Sequence, residues 1–521
     1  MPYEADSCAK GMIFFQITVI IAYFCCLINI KMDLPVDFVN SMREQLGEER
    51  SRRLEEGLGA EPSVSVRLNP FKADALSPLS SGAEPVPWCG WGRYLPQRPP
   101  FTFDPLLHAG VYYVQEAASM FLASALRPYV GTDPLVALDL CAAPGGKSTL
   151  VRSVLPAGSL LVSNEPIRAR AQVLAENMTK WGHPGTVVTQ DYPDAFTALT
   201  AVFDMVIADV PCSGEGMFRK DEGAVADWSL DNVAMCCRRQ REILTDVWPA
   251  LKPGGLLVYS TCTFNRHEDE ENIAWIVRTL GAEVLPVPVD PTWQVTGNLL
   301  PETASAEDAG DGSGAFPVYR FLPGTTRGEG FFLAVLRKNG SLPLGREAVG
   351  GEGAERRKAC RKKDRGSRTS APPFPAACRT WLQAPDDYTF FSDTDGLWRA
   401  FPASYAGLFR LLREHCTVLH AGVPVAECKG RDWIPAHGLA LSTAFRREAF
   451  ACCELDYAQA VAYLRKEALV LPSDVPRGVV CLTYRGVPLG FAKQLGNRAN
   501  NLYPPEWRIR SGHVSPFCLW E

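Results

Sequence analysis

LVALDLCAAPGGKS, residues 135–148, decides how this chain is read. Residues 135–140 are a short apolar run of strand character, a Pro-Gly-Gly loop follows, and a helical pattern begins at about Lys147. Glycines at such a turn let a ligand approach the backbone, and the first N–H groups of the next helix are free to meet it. The stretch comes one residue short of a phosphate-binding loop, which requires G-x-x-x-x-G-K-[ST]. The first glycine of that pattern falls at Cys141, and no second nucleotide motif accompanies it, so nucleoside triphosphate hydrolysis is disfavoured.

Outward from this unit the alternation continues. Residues 160–163, 186–189, 203–208 and 255–259 read as strands, and residues 168–181, 230–251 and 268–280 as helices. Strand and helix alternating over some 150 residues predict an α/β fold, a parallel sheet with helices on both faces. Upstream, residues 34–58 are helical and charged, residues 64–68 alternate like a strand, residues 77–105 read as irregular, and residues 111–126 return to a helical pattern. Downstream, residues 339–372 are a Gly- and Ser-rich linker with a basic run at 356–368, either a solvated tether or a phosphate-attracting arm. Residues 373–521 read as a second globular unit. The expected divisions are 1–31, 32–130, 131–338, 339–372 and 373–521.

Composition narrows the function. The chain has 521 residues and a formal net charge of -5, which excludes a uniformly basic nucleic-acid coat and leaves only local positive charge for that role. Its 17 cysteines include no Cys-x-x-Cys, so neither a zinc ribbon nor a disulfide framework is expected, and a reducing, cytoplasmic setting fits. His415, Cys416, His420, Cys428 and His437 match no standard zinc spacing, and no metal is expected. Residues 12–30 are an apolar run just long enough to span a bilayer. Three readings apply to it: upstream sequence from a wrong start, a membrane anchor, or a core helix. The first is preferred, with Met32 as the start, and no stable membrane partner is expected.

In a doubly wound fold the site lies at the carboxyl ends of the strands. Glu165 follows the second strand, where an acid accepts hydrogen bonds from ribose hydroxyls; the plainer reading is a charge at a helix N-terminus. Asp191 follows the third strand, suited to an adenine amino group, though turn residues of this kind are common. Asp209 and Cys212 follow the fourth strand and Cys262 the fifth. Either thiol alone reads as an inert buried cysteine. Two on one rim, beside Asp209 and Lys220, point to chemistry, because a nearby cation favours the thiolate. Two thiols with an adenosine-type ligand suit methylation at carbon 5 of a pyrimidine. A thiolate adding to carbon 6 makes carbon 5 nucleophilic toward a sulfonium methyl, splitting one hard step into easier ones. Asp209, in a suitable protonation state, suits a hydrogen bond to ring N3. Residue types alone leave open which cysteine attacks.

On these motifs the chain resembles the RNA cytosine-5 methyltransferases of the Nol/Nop/Sun type, in their bacterial RsmF-like branch. LDLCAAPGGKS, NEPIRARAQVLAENM, DVPCSGEGMFRKD and YSTCTFNRHEDEENI carry the resemblance in order, with VSVRLNP and YYVQEAASM upstream and TRGEGFFLAVLRK downstream. GVPLGFAKQLGNRANNLYPPEWRIRS, residues 486–511, is similar to the RNA-binding tail of that branch. The resemblance implies a Rossmann-like class I methyltransferase sheet with an N-terminal α+β extension and a C-terminal PUA-like RNA-binding unit. It implies S-adenosylmethionine as cofactor, held by Cys141, Ala142, Ala143, Pro144, Gly145, Gly146, Lys147, Glu165, Arg170, Asp191 and Asp209. It implies catalysis by Cys262 as nucleophile and Cys212 in product release, with Asp209 and Lys147. The implied substrate is a cytidine of 16S ribosomal RNA, free or in the small subunit, and the implied state a monomer. Transfer RNA, or another substrate class, is the alternative. In the tail, Lys493, Arg498, Arg508 and Arg510 are interleaved with Tyr503 and Trp507, which suits phosphate contacts and base stacking; the plainer reading is a core sheet with surface arginines. One departure stands out: the family often has Pro-His before TRGEGFF, and this chain has Pro323-Gly324.

Overall fold

The computed structural model describes residues 34–72, 82–300, 316–340, 374–392, 396–430 and 432–512. The apolar run at 12–30 and the basic run at 356–368 lie outside the described residues. Among the described residues no helix is long and apolar enough to cross a membrane.

At the centre is a nine-stranded sheet. Its order is Ala282–Leu285, Phe331–Lys338, Leu251–Thr261, Phe203–Asp209, Val136–Asp139, Leu160–Asn164, Thr186–Thr189, Val418–Ala421, with Tyr319–Phe321 beside Phe331–Lys338. The five strands read as parallel do pair in parallel. Their apolar runs are buried on both faces, as a covered parallel sheet requires. Phe331–Lys338, Ala282–Leu285 and Val418–Ala421 add in antiparallel sense at the two edges. The strand order reverses on either side of Val136–Asp139, and that switch point sets where a ligand crevice opens.

Two stretches upstream differ from the expectation. Residues 77–105 are not all irregular: Glu84–Val86 and Cys89–Leu95 are strands. Residues 111–126 are not one helix, because Tyr112–Val114 is a strand and the helix proper is Leu122–Leu126. These strands and Val64–Leu68 form a four-stranded antiparallel sheet, with Val66 opposite Val114. Pairing between segments some fifty residues apart overrides the local periodicity.

The C-terminal part is not detached from the catalytic sheet. Val418–Ala421 pairs with Thr186–Thr189, and Phe401, Phe409, Leu412, Cys416 and Ala421 share one core with Leu160, Val187 and Phe196. Helix His437–Leu441 packs on helix Arg168–Trp181 so closely that a Cβ at Gly182 would lie 2.1 Å from the Leu441 carbonyl oxygen. The last sheet, Ala451–Glu454, Gly478–Tyr484, Val487–Gln494 and Ala499–Asn501, shares a core with the N-terminal sheet.

Four histidines sit along these seams, His108, His183, His420 and His437, and burial pulls each down to about 3. Both ring nitrogens of His437 are buried without a hydrogen-bond partner among the described residues, and its ring meets Tyr503 and Trp507 edge-on. A depressed folded value means that the neutral ring stabilises the fold above the ordinary range, and that this is lost as pH falls through it. Replacing His437 with Phe is therefore expected to shift the stability difference from wild type by about 1–2 kcal/mol in favour of the variant between pH 7 and pH 5. Urea unfolding of both proteins at the two pH values measures it, and comparing the pair cancels the titration of all other groups.

Candidate active site

The loop from Cys141 to Lys147 leaves the first parallel strand at the switch point and enters helix Gly146–Val154. Gly145 has φ +113°, a conformation open to glycine. The N-terminal sheet braces this loop from behind. Arg67, fully buried, donates to the Gly146 carbonyl (3.2 Å), Thr149 Oγ1 (2.6 Å) and Gln115 Oε1 (2.7 Å). Asn177 donates to the Pro144 carbonyl at 2.8 Å.

Four carboxylates stand at the carboxyl ends of the first four parallel strands, and Asp139, Glu165 and Asp209 act on one another beside the loop. Asp139 accepts from Ser148 Oγ at 2.6 Å, but its Oδ1 is buried with no partner among the described residues. Burial pushes Asp139 up to about 7, with Asp209 and Glu165 adding to the rise. Glu165 is buried, accepts from the Ile167 N–H, and has Arg170 at 3.4 Å; Arg170 also reaches the Ala143 carbonyl. Asp191 stands where the strand order predicts, but its Oδ2 accepts from the Thr417 N–H at 2.8 Å. That contact comes from the C-terminal part, which the motifs gave no sign of. Asp209 accepts from Lys147 Nζ and Ser260 Oγ, each at 2.8 Å.

Cys212 and Cys262, fifty residues apart in sequence, meet with their sulfurs 3.2 Å apart. The hydrogen bond to Cys262, and then burial, push the Cys212 thiol well up. Lys220 is not the cation beside them, since its Nζ faces Glu329 at 3.7 Å. Lys147 takes that place: burial works against its charge, but Asp209 and then Cys262 hold it above the usual lysine value. Pro323-Gly324 packs against helix Glu48–Leu58. Gly324 has φ +80°, and a Cβ there would stand 2.0 Å from the Arg53 carbonyl oxygen, so the close approach of helix Glu48–Leu58 leaves no room for a histidine.

Two buried carboxylates that the motifs did not single out cross between the thiol loops. Glu215 accepts from the Phe264 N–H (2.6 Å), the Asn265 N–H (3.1 Å) and Thr263 Oγ1 (2.5 Å). Its other oxygen accepts from Trp228 Nε1 and Asn265 Nδ2. Glu268 accepts from the Ser213 N–H at 3.0 Å, Gln240 Nε2 at 2.7 Å and Asn265 Nδ2 at 2.9 Å. The signal was in the motifs themselves, an acid three residues after one thiol and another six after the other.

In the tail, Arg498, Arg508 and Arg510 are exposed and Lys493 is half-buried near Asp432. Tyr503 is not a stacking platform, because it is 1% exposed in the core shared with the N-terminal sheet. Trp507 sits over Lys180 and beside His437.

A doubly wound sheet with a glycine loop at its switch point, acids after successive strands and two thiols on one rim defines a class I methyltransferase. Models of known families cover the chain in three pieces: 16S rRNA methyltransferase RsmB/F over residues 125–337, the N-terminal domain of 16S rRNA methyltransferase RsmF over 34–117, and the methyltransferase RsmF PUA domain over 450–509. Ribosomal RNA small subunit methyltransferase F of Klebsiella pneumoniae (strain 342) is 32% identical over 86% of this chain and 91% of its own length. The protein of that name from Aliivibrio fischeri (strain MJ11) is 33% identical over 86% and 92%. The chain belongs to the RsmF family of methyltransferases. The crystal structure of PH0851 superposes with a TM-score of 0.51 at 21% identity, over 59% of this chain and 67% of that one, and shows a shared fold.

The enzyme's methyl donor is S-adenosylmethionine, and the donor set suits it. Converging carboxylates with Lys147 and Arg170 as the facing cations, and an unpartnered buried Asp139 oxygen, call for a ligand bearing hydroxyl donors and positive charge.

Proposed function

We propose that this enzyme methylates carbon 5 of a cytidine in 16S ribosomal RNA through a covalent bond between a cysteine and carbon 6. The observation that carries the reading is the 3.2 Å approach of Cys212 and Cys262 beside the Lys147–Asp209 pair. A methyltransferase acting on an already nucleophilic atom needs no thiol. S-adenosylmethionine, when bound by residues 141–147, Glu165, Arg170, Asp191 and Asp209, supplies an electrophilic methyl group. Cys262, as thiolate beside the Lys147 cation, forms a bond to carbon 6, and the displaced 5,6 π pair turns carbon 5 into the nucleophile. Asp209, polarised by Lys147 and Ser260, faces the N3 edge of the ring. Once Cys262 is bonded to carbon 6, the contact that held the Cys212 proton is gone; Cys212 releases that proton to solvent, takes the carbon 5 proton, the 5,6 double bond re-forms and the Cys262 thiolate leaves.

Residues 32–130 and 373–521 carry the RNA contacts around the catalytic residues 131–338, with residues 339–372 as linker, and the exposed arginines Arg498, Arg508 and Arg510 supply the local positive charge. On this reading the enzyme is a cytoplasmic monomer. Protein incubated with donor carrying a labelled methyl group, and separately with small-subunit ribosomal RNA and transfer RNA, is expected to put the label into 5-methylcytidine of the ribosomal RNA. Label in transfer RNA alone moves the substrate to that class. Label at a position other than carbon 5 overturns the reading.

A further inference from the structure

We infer that Glu215 and Glu268 are positioning residues that form a reciprocal clasp, each held on the segment of one thiol and gripping the backbone of the other. The inference rests on the two-thiol reading above and adds how the pair is held in register. Glu215, three residues past Cys212, accepts the N–H groups of Phe264 and Asn265, two and three residues past Cys262. Glu268, six residues past Cys262, accepts the N–H of Ser213, the neighbour of Cys212. Asn265 Nδ2 donates to both carboxylates at 2.9 Å and ties the two halves together. A backbone bond from the Gly216 N–H to the Cys262 carbonyl, 2.7 Å, and a Ser213–Thr263 hydroxyl contact, 3.2 Å, complete the cross-links.

Both carboxylates are 0% exposed, and among the described residues neither has an ion-pair partner. The adjacent Asp269 and Glu270 differ, since Arg320 pairs with both at 3.0 and 2.7 Å. A buried carboxylate held only by neutral donors is costly, and burial pushes Glu268 up to about 7, with Glu215 adding to the rise. Packing alone gives no reason to keep two of them. Their geometry does: loops leaving two different strands have no covalent reason to hold two sulfur atoms in contact, and a carboxylate accepting several N–H groups at once is a rigid staple. The Cys212 loop is fixed further by Gln240, whose amide donates to both the Pro211 carbonyl and Glu268.

The test uses Glu268→Gln in the full-length enzyme, a change that keeps shape and removes the charge that suits three donors at once. Glu215→Gln is its counterpart from the other loop. Two readouts are taken: steady-state kinetics on substrate RNA, and the rate at which dibromobimane, fluorescent only when both its arms react, bridges Cys212 and Cys262. The clasp predicts, for either variant, a kcat lowered about tenfold or more with KM for RNA within twofold, and slower bridging with melting temperature unchanged or raised. Unchanged kcat and bridging in a folded variant overturn it. A Glu268→Gln protein that unfolds leaves Glu215→Gln to decide. The bridging assay needs no methyl transfer, so a failure of the catalytic reading shows as loss of function in neither thiol variant, and a failure of the clasp as normal bridging.

Discussion

Cys262→Ala is expected to abolish methyl transfer, and Cys212→Ala to trap the enzyme on its RNA. The two sulfurs are in contact, so the difference cannot come from placement at opposite ends of the site. It comes from the order of events. Without the Cys262 sulfur nothing adds to carbon 6 and carbon 5 never becomes nucleophilic, so the rate falls by on the order of 10³-fold or more, as when other enzymes lose their nucleophile. Without the Cys212 sulfur, addition and transfer still run, but the carbon 5 proton has no acceptor and the Cys262–carbon 6 bond persists. The measurement is a denaturing gel of each variant incubated with labelled RNA and methyl donor. A band of protein joined to RNA is expected for Cys212→Ala and none for Cys262→Ala or the double variant. Normal methylation by Cys262→Ala sinks the mechanism. The band appearing with Cys262→Ala instead exchanges the roles of the two thiols, an order that residue types alone leave open.

What the amino-acid sequence revealed follows the range of the forces involved. Helix Arg168–Trp181 and strands Thr186–Thr189 and Val64–Leu68 lie where periodicity placed them, since side-chain alternation within a few residues determines such elements. Strands Tyr112–Val114 and Cys89–Leu95 were hidden because their partner is the distant Val64–Leu68. At the site the glycine loop, Glu165, Asp209 and both thiols come together as the strand order implied. Lys147 rather than Lys220 faces the thiols, a matter of which side chain folds inward from a loop, and periodicity carries no information on that. For the tail, aromatic residues between arginines suggest stacking and a core sheet with surface arginines is the alternative; Tyr503 follows the alternative, because the last sheet has the N-terminal sheet to pack against. The two acids of the clasp stand at fixed spacing from the thiols in the motifs, but their bonds could not be read from spacing, since they join two loops that only the sheet brings together.

Ending the chain after Gly340 is expected to cost the catalytic sheet its fold, although the sequence divides there into a catalytic unit and a tail. The cut removes Val418–Ala421 and leaves the Thr186–Thr189 edge unpaired, an invitation to aggregation. It also strips the catalytic core of Phe401, Phe409 and Leu412. At about 1.5–3 kcal/mol for each large buried side chain, these three alone contribute roughly 5–9 kcal/mol, comparable to the whole stability of a typical domain. The effect reaches the cofactor side too. Thr417 holds Asp191 through its N–H, and Gln190 donates back to the Thr417 carbonyl at 2.9 Å, so the third-strand acid loses its brace. Thermal unfolding and calorimetric titration with S-adenosylmethionine test this on the truncated and full-length proteins. The expected result is an aggregated or strongly destabilised protein with cofactor affinity lost. A soluble truncated chain with wild-type melting temperature and affinity would show that the ninth strand adds nothing to the sheet it completes. Charge-removing changes at Arg498, Arg508 and Arg510, exposed and outside the shared cores, are therefore the cleaner way to separate RNA binding from folding.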